Sequence, residues 1–157
     1  MRPRGANQKV TRQPLSAPKG TALLVGEDPG DLRHYCDILE GYGYRVRISN
    51  SYQEGVHLLA DEVFHFVMVS QGTPNFEGSC VLKRATEINR SLPVLVVARG
   101  VDMDPYHEAM QWGAVNYLVE PVTVSEIGRV LKNHPPVQSI AAVRHRVCNG
   151  GKERDGG

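Results

Sequence analysis

The sequence has little cysteine and no long apolar run. Its three cysteines, Cys36, Cys80 and Cys148, are odd in number and widely spaced. That excludes a disulfide framework and any CxxC metal or redox site, and it fits a reducing cytoplasm. The longest apolar stretches, such as Ala22–Val25, Phe66–Val69 and Val94–Ala98, fall far below the ~18 residues that a membrane-spanning helix needs. The stretch Met1–Gly20 is polar and basic, without the apolar core of a signal peptide, so secretion is not expected. The six histidines, at 34, 57, 65, 107, 134 and 145, show no metal-ligand spacing. They read as surface or internally satisfied side chains.

Acid is absent from the first 19 residues, which carry five cations (Arg2, Arg4, Lys9, Arg12 and Lys19). Residues 135–157 carry four cations against Glu153 and Asp155. The stretch between, residues 20–134, has nine cations and fifteen carboxylates, a net of −6. Both ends are rich in Pro, Gly, Asn, Gln and Ser and lack an apolar face that could offset the entropy lost on ordering. The expected organisation is one domain at 20–134 between a disordered basic N-terminal tail (1–19) and a disordered C-terminal tail (135–157). Nucleic acid is expected to be touched, if at all, only through these basic tails. A tail folded back on the acidic domain is the weaker alternative.

Within the domain, β-rich runs alternate with helical periods. The runs are Thr21–Val25, Tyr44–Ile48, Phe64–Val69, Val94–Val97 and Asn116–Val119. The first helix is marked by Leu32, Tyr35, Cys36 and Leu39 and stops at Gly41 and Gly43. An S-x-x-E capping box, Ser51 and Glu54, opens the second ahead of Val56, Leu59, Ala60 and Val63. Val81, Leu82, Ala85 and Ile88 mark the third, which ends before Pro93. Asp104 as N-cap with Pro105 at the first helical position is expected to open the fourth, with Gly113 closing it. Thr123 and Glu126 form a second capping box ahead of Val124, Ile127, Val130 and Leu131.

Five strand and helix units in this length predict a (βα)5 α/β fold, a parallel sheet with helices on both faces. Strands one, three and four are continuously apolar and so central, whereas the second alternates arginine with apolar residues and so lies at an edge. The short fifth strand takes the other edge. The order 2-1-3-4-5 satisfies both and is doubly wound, as in flavodoxin-like folds, with the ligand crevice at the carboxyl ends of strands one and three. Gly26, Glu27, Asp28 and Pro29 follow strand one; Ser70 to Pro74 close strand three; Ala98 and Arg99 follow strand four; Glu120 and Pro121 follow strand five.

At these positions the sequence resembles the response-regulator receiver (CheY-like) family over roughly Thr21 to His134. LLVGEDPGDLR resembles the family's first strand and acidic pair, FVMVSQGTPNFEG its third strand and turn, LPVLVVARG its fourth strand, and GAVNYLVEPV its fifth strand and Lys-Pro turn. Carried over residue by residue, the resemblance implies a degenerate pseudo-receiver. The phosphoacceptor Asp, four residues before the turn proline Pro74, falls on Ser70, a hydroxyl with no adjacent base. The hydroxyl residue that contacts the phosphoryl group falls on Ala98, and the lysine falls on Glu120. Glu27 and Asp28 match the metal-binding acidic pair, and Tyr117 matches the aromatic that changes rotamer in the family's switch.

Plainer roles stand beside these. Asp28 reads as a helix cap, and Mg²⁺ on Glu27 and Asp28 is the lesser expectation because hard cations want several anionic oxygens. Phosphorylation of Ser70 by a kinase would add charge beside Glu27, Asp28 and Glu120, and like charges repel. Tyr117 reads as a packing aromatic, and Trp112 as locally packed or a contact residue. Arg99, the one cation on the inner strand-end loops, is expected to pair with Glu120. The leading expectation is a non-enzymatic cytoplasmic module in two-component-type signalling, with no cofactor. It would act through protein contacts or as a homodimer on the fourth helix, fifth strand and fifth helix, about Asp104 to Lys132, since the short C-terminal tail cannot be an effector domain. The alternatives are a metal-binding receiver, a receiver phosphorylated on Glu27 or Asp28, a flavodoxin-like FMN binder and a hydrolase using Ser70. The loop EDPGD would repel a cofactor phosphate, and Ser70 lies in no G-x-S-x-G motif.

Overall fold

The computed structural model describes residues 18–136. Ten elements alternate along the chain: β1 (Gly20–Val25), α1 (Pro29–Gly41), β2 (Tyr44–Ser49), α2 (Tyr52–Asp61), β3 (Phe66–Ser70), α3 (Ser79–Ile88), β4 (Val94–Ala98), α4 (Met103–Gln111), β5 (Asn116–Val119) and α5 (Val124–Asn133). The strands form one sheet in the order β2-β1-β3-β4-β5, with every neighbouring pair parallel. This is the CheY-like, flavodoxin-like α/β architecture. The two tails lie outside the described residues apart from their inner ends, where the Lys19 backbone N–H donates to the Gly43 carbonyl at 2.8 Å.

Alternation of side chains along each strand splits the core in two. Leu23, Val25, Val67, Val69, Val94 and Val96 face α2, α3 and α4, where Leu59, Val81, Leu82, Ala85 and Ala109 cover them. Ala22, Leu24, Phe66, Met68, Leu95 and Val97 face α1 and α5, under Leu32, Leu39, Ile127 and Leu131. Strands β1, β3 and β4 are thus covered on both faces, which is why their sequences are continuously apolar. At the edge, β2 leaves Arg45 and Arg47 exposed, and Arg47 reaches Glu62 at 2.8 Å.

Helix boundaries follow local chemistry, with corrections. The Thr123 hydroxyl and Glu126 form the reciprocal capping box of α5. At α2 only half of the box forms: Ser51 Oγ accepts from the Glu54 N–H (3.2 Å), but the Glu54 carboxylate turns to Ser49 Oγ (3.2 Å). Helix α4 begins at Met103 with Asp102 as its N-cap, two residues ahead of the expected start, and Pro105 sits in its first turn. The first-turn N–H groups of a helix have no intrahelical partner, so proline costs little there. Val63 lies past the end of α2 and is exposed, as are Ile88 and Val124. Strand β3 starts at Phe66, two residues after the apolar run begins.

Parallel register brings the strand ends level: Val25 lies beside Ser49 and Val69, Ser70 beside Val97, and Ala98 beside Val119. The loops that leave them therefore meet at one end of the sheet.

Candidate functional site

A pocket of about 390 Å³ opens there, between the loops after β1, β3, β4 and β5. Glu27, Asp28, Ser70, Arg99 and Glu120 line it, together with Asp31 and Tyr35 from α1. Ala98 does not: its methyl group is buried in the core facing α2, α3 and α4. Tyr117 belongs to the same core and is likewise away from the pocket.

Arg99 is the hub of the site. Its Nη2 donates to Asp28 Oδ2 at 3.0 Å and to Asp31 Oδ2 at 2.8 Å. Its Nη1 lies 3.6 Å from Glu120 Oε1, an ion pair without a hydrogen bond. The expected Arg99–Glu120 pair is thus present but is the longest of three, and the two-bonded fork does not form. Glu120 is held instead from α1, where the Tyr35 hydroxyl donates to its Oε2 at 2.8 Å. Burial, followed by this hydrogen bond to an anion, pushes the Tyr35 pKa well up. Asp31 is also raised, first by burial and then by Glu120, while Arg99 is raised by Asp31 and Glu120.

Asp28 has a second task. As N-cap of α1, its Oδ1 accepts from the N–H groups of Gly30 (2.8 Å) and Asp31 (3.3 Å). These amides are the largest influence holding its carboxyl below the usual range. Both of its oxygens are therefore engaged, one by the helix and one by the guanidinium.

The chemistry of this donor set does not fit a divalent ion. Hard cations take several anionic oxygens. Here Asp28 is committed twice, Asp31 is bound to Arg99, Ser70 is neutral, and a guanidinium stands among the carboxylates. Among the described residues no group of three or more His, Cys, Asp or Glu side chains is arranged to hold a metal.

Ser70 ends β3, and its Oγ accepts from the Gly72 N–H at 3.3 Å. No histidine side chain lines the pocket beside it. The loop beyond turns tightly back at Gly78, whose N–H donates to the Gln71 carbonyl at 3.2 Å. A Cβ at 78 would lie 2.1 Å from the Ser70 carbonyl oxygen, so glycine is required. Gln71 is buried, only 4% exposed. Its Nε2 donates to the Thr73 carbonyl (3.3 Å), and its Oε1 accepts from the Tyr117 hydroxyl. The Tyr117 ring in turn meets Tyr106 of α4 edge-on, with centroids 5.4 Å apart. The Cys36 thiol, half-buried on α1, is pushed up to about 11 by burial and then by the neighbouring Glu40.

An open parallel sheet in this order, with an acidic loop, a Ser-Gln-Gly-Thr-Pro turn and a Glu-Pro turn gathered at one end, is the CheY-like receiver fold, and comparison with known proteins supports a likeness to response-regulator receiver domains. No protein-family model matches the chain. Among curated proteins it is similar to the transcriptional regulatory protein ZraR of Escherichia coli K12, 28% identical over 114 residues, which covers 70% of this chain and 25% of ZraR. The chain thus spans about a quarter of that relative's length. Among solved structures, a CheY-like receiver domain protein from Methanospirillum hungatei superposes with a TM-score of 0.67 at 24% identity, over 75% of this chain and 93% of that one. A response regulator from Burkholderia pseudomallei, solved with a phosphorylated aspartic acid, a calcium ion and citrate, gives 0.65 at 25% identity, over 81% and 75%. Among the described residues no helix is long and apolar enough to cross a membrane.

Proposed function

We propose that residues 20–134 are a non-catalytic pseudo-receiver that acts in two-component-type signal transduction in the cytoplasm, through protein contacts independent of phosphorylation. The composition of the pocket carries this reading. Ser70 stands at the end of β3 with its hydroxyl bound to the following loop, Ala98 turns a methyl group into the core and leaves the pocket without a hydroxyl from the end of β4, and Glu120 is an anion where a phosphoryl group would need a cation. Asp28 is a poor alternative acceptor because both of its oxygens are engaged, one by the α1 amides and one by Arg99, and Glu27 lines the same pocket, where Asp28, Asp31 and Glu120 add like charge. The contact surface is the face made by α4, β5 and α5, about Asp104 to Lys132, which carries exposed Tyr106, Met110 and Val124. A protein partner or a second copy would bind there.

The test is incubation of the full chain with small-molecule phosphoryl donors, and separately with beryllofluoride and Mg²⁺. The expected result is no phosphate incorporation and no change in the backbone NMR spectrum. Incorporation that survives Ser70→Ala but is lost in Asp28→Asn would overturn the reading.

A further inference from the structure

Three carboxylates from two separate stretches of the chain end on one guanidinium. Asp28 and Asp31 belong to the turn into α1, Glu120 follows β5, and Arg99 follows β4. The planar fork makes this possible: one terminal nitrogen serves two acids while the other faces the third. Without Arg99, the pocket mouth would carry Glu27, Asp28, Asp31 and Glu120 with no positive charge among its lining residues.

We propose that Arg99 is the resident cation of this pocket: its guanidinium fills the role of a divalent ion, ties the loops after β1, β4 and β5 together, and leaves the folded domain with no use for Mg²⁺. This deepens the pseudo-receiver reading and rests on it. The site has been rebuilt around an internal charge rather than merely stripped. Glu120, an anion in place of the expected cation, is the partner such a charge requires, and Tyr35 holds it at the edge of the guanidinium. The carboxylates raise the Arg99 pKa further above neutrality, so the charge is permanent.

The full chain, Arg99→Ala and Arg99→Lys would be titrated with Mn²⁺ and followed by paramagnetic broadening of the backbone amides around Asp28 and Asp31. Thermal unfolding would be followed in parallel with and without Mg²⁺. The wild type should show no selective broadening and no Mg²⁺-dependent shift in Tm. Arg99→Ala should bind Mn²⁺ at least about tenfold more tightly than wild type, since one opposing charge has gone, and should regain with Mg²⁺ part of the Tm it loses. Arg99→Lys keeps the charge and should remain silent to metal. Selective broadening in the wild type, an Arg99→Ala chain that gains no affinity, or an Arg99→Lys chain as responsive as Arg99→Ala would each overturn the proposal. No phosphoryl donor is present, so these outcomes are separate from the donor experiment that tests the pseudo-receiver reading.

Discussion

The Tyr117 hydroxyl donates to the side-chain carbonyl of Gln71, joining β5 to the loop after β3 beneath α4. Both residues are more than nine-tenths buried, and Tyr106 closes over the ring from α4. Tyr117 is thus held inward by a side chain beside Ser70 with no phosphoryl group involved. Tyr117→Phe would leave a buried carbonyl oxygen without its donor, which costs about 1–3 kcal/mol. Urea denaturation should show that loss in Tyr117→Phe and a much smaller further loss when Gln71→Leu is added. Additive losses would mean that the two side chains do not act as a pair.

Asp28 should prove to be a cap before it is a charge. Asparagine caps a helix about as well as aspartate, whereas alanine does not. Asp28→Asn should therefore lose less stability than Asp28→Ala. The reverse order would place the importance of this carboxylate in its charge.

The Arg99 pairs should be unequal. Arg99 has a side chain 66% exposed, and such pairs contribute roughly 0–1 kcal/mol. Double-mutant cycles should give a larger coupling for Arg99 with Asp31, at 2.8 Å, than with Glu120, at 3.6 Å. A stronger coupling to Glu120 would contradict the geometry seen here.

Acidification should weaken the fold through His65. Its Nδ1 accepts from the Thr21 N–H at 2.9 Å at the start of β1, and burial holds its pKa below the ordinary value of 6.5. A histidine lowered in the folded state stabilises fully above its unfolded pKa, and that contribution is lost as pH falls through the folded one. Stability should decline below about pH 6.5, and His65→Ala should remove part of that decline. A pH profile unchanged by His65→Ala would exclude this histidine as the cause.

The parts of the fold set by periodicity were legible in the sequence. Continuous apolar runs placed β1, β3 and β4 in the middle, and the alternation of Arg45 and Arg47 placed β2 at an edge. Periodicity alone does not say where a helix ends: Val63 fits the α2 spacing yet lies beyond Asp61, where the chain has already turned. In the pocket, positions after strands could be read, so Glu27, Asp28, Ser70, Arg99 and Glu120 were found. Asp31 and Tyr35 were missed as site residues because they sit inside a helix pattern. Their spacing of three and four residues after Asp28 and Asp31 was the available signal for one shared face. Nothing local marks Gln71 as buried, because its burial depends on the loop returning at Gly78.

The arginines of β2 also bear on how the molecule behaves in a crowd. An open sheet has two bare margins, each able to template another strand. At one, β5 offers only four residues. At the other, a second β2 laid alongside would set guanidinium against guanidinium across the new seam, although Glu62 neutralises part of that charge within each molecule. Such repulsion reaches about a Debye length, ~10 Å at 0.1 M salt. Edge-to-edge polymerisation of this domain should therefore be resisted most in dilute buffer, and the resistance should fade as salt is added.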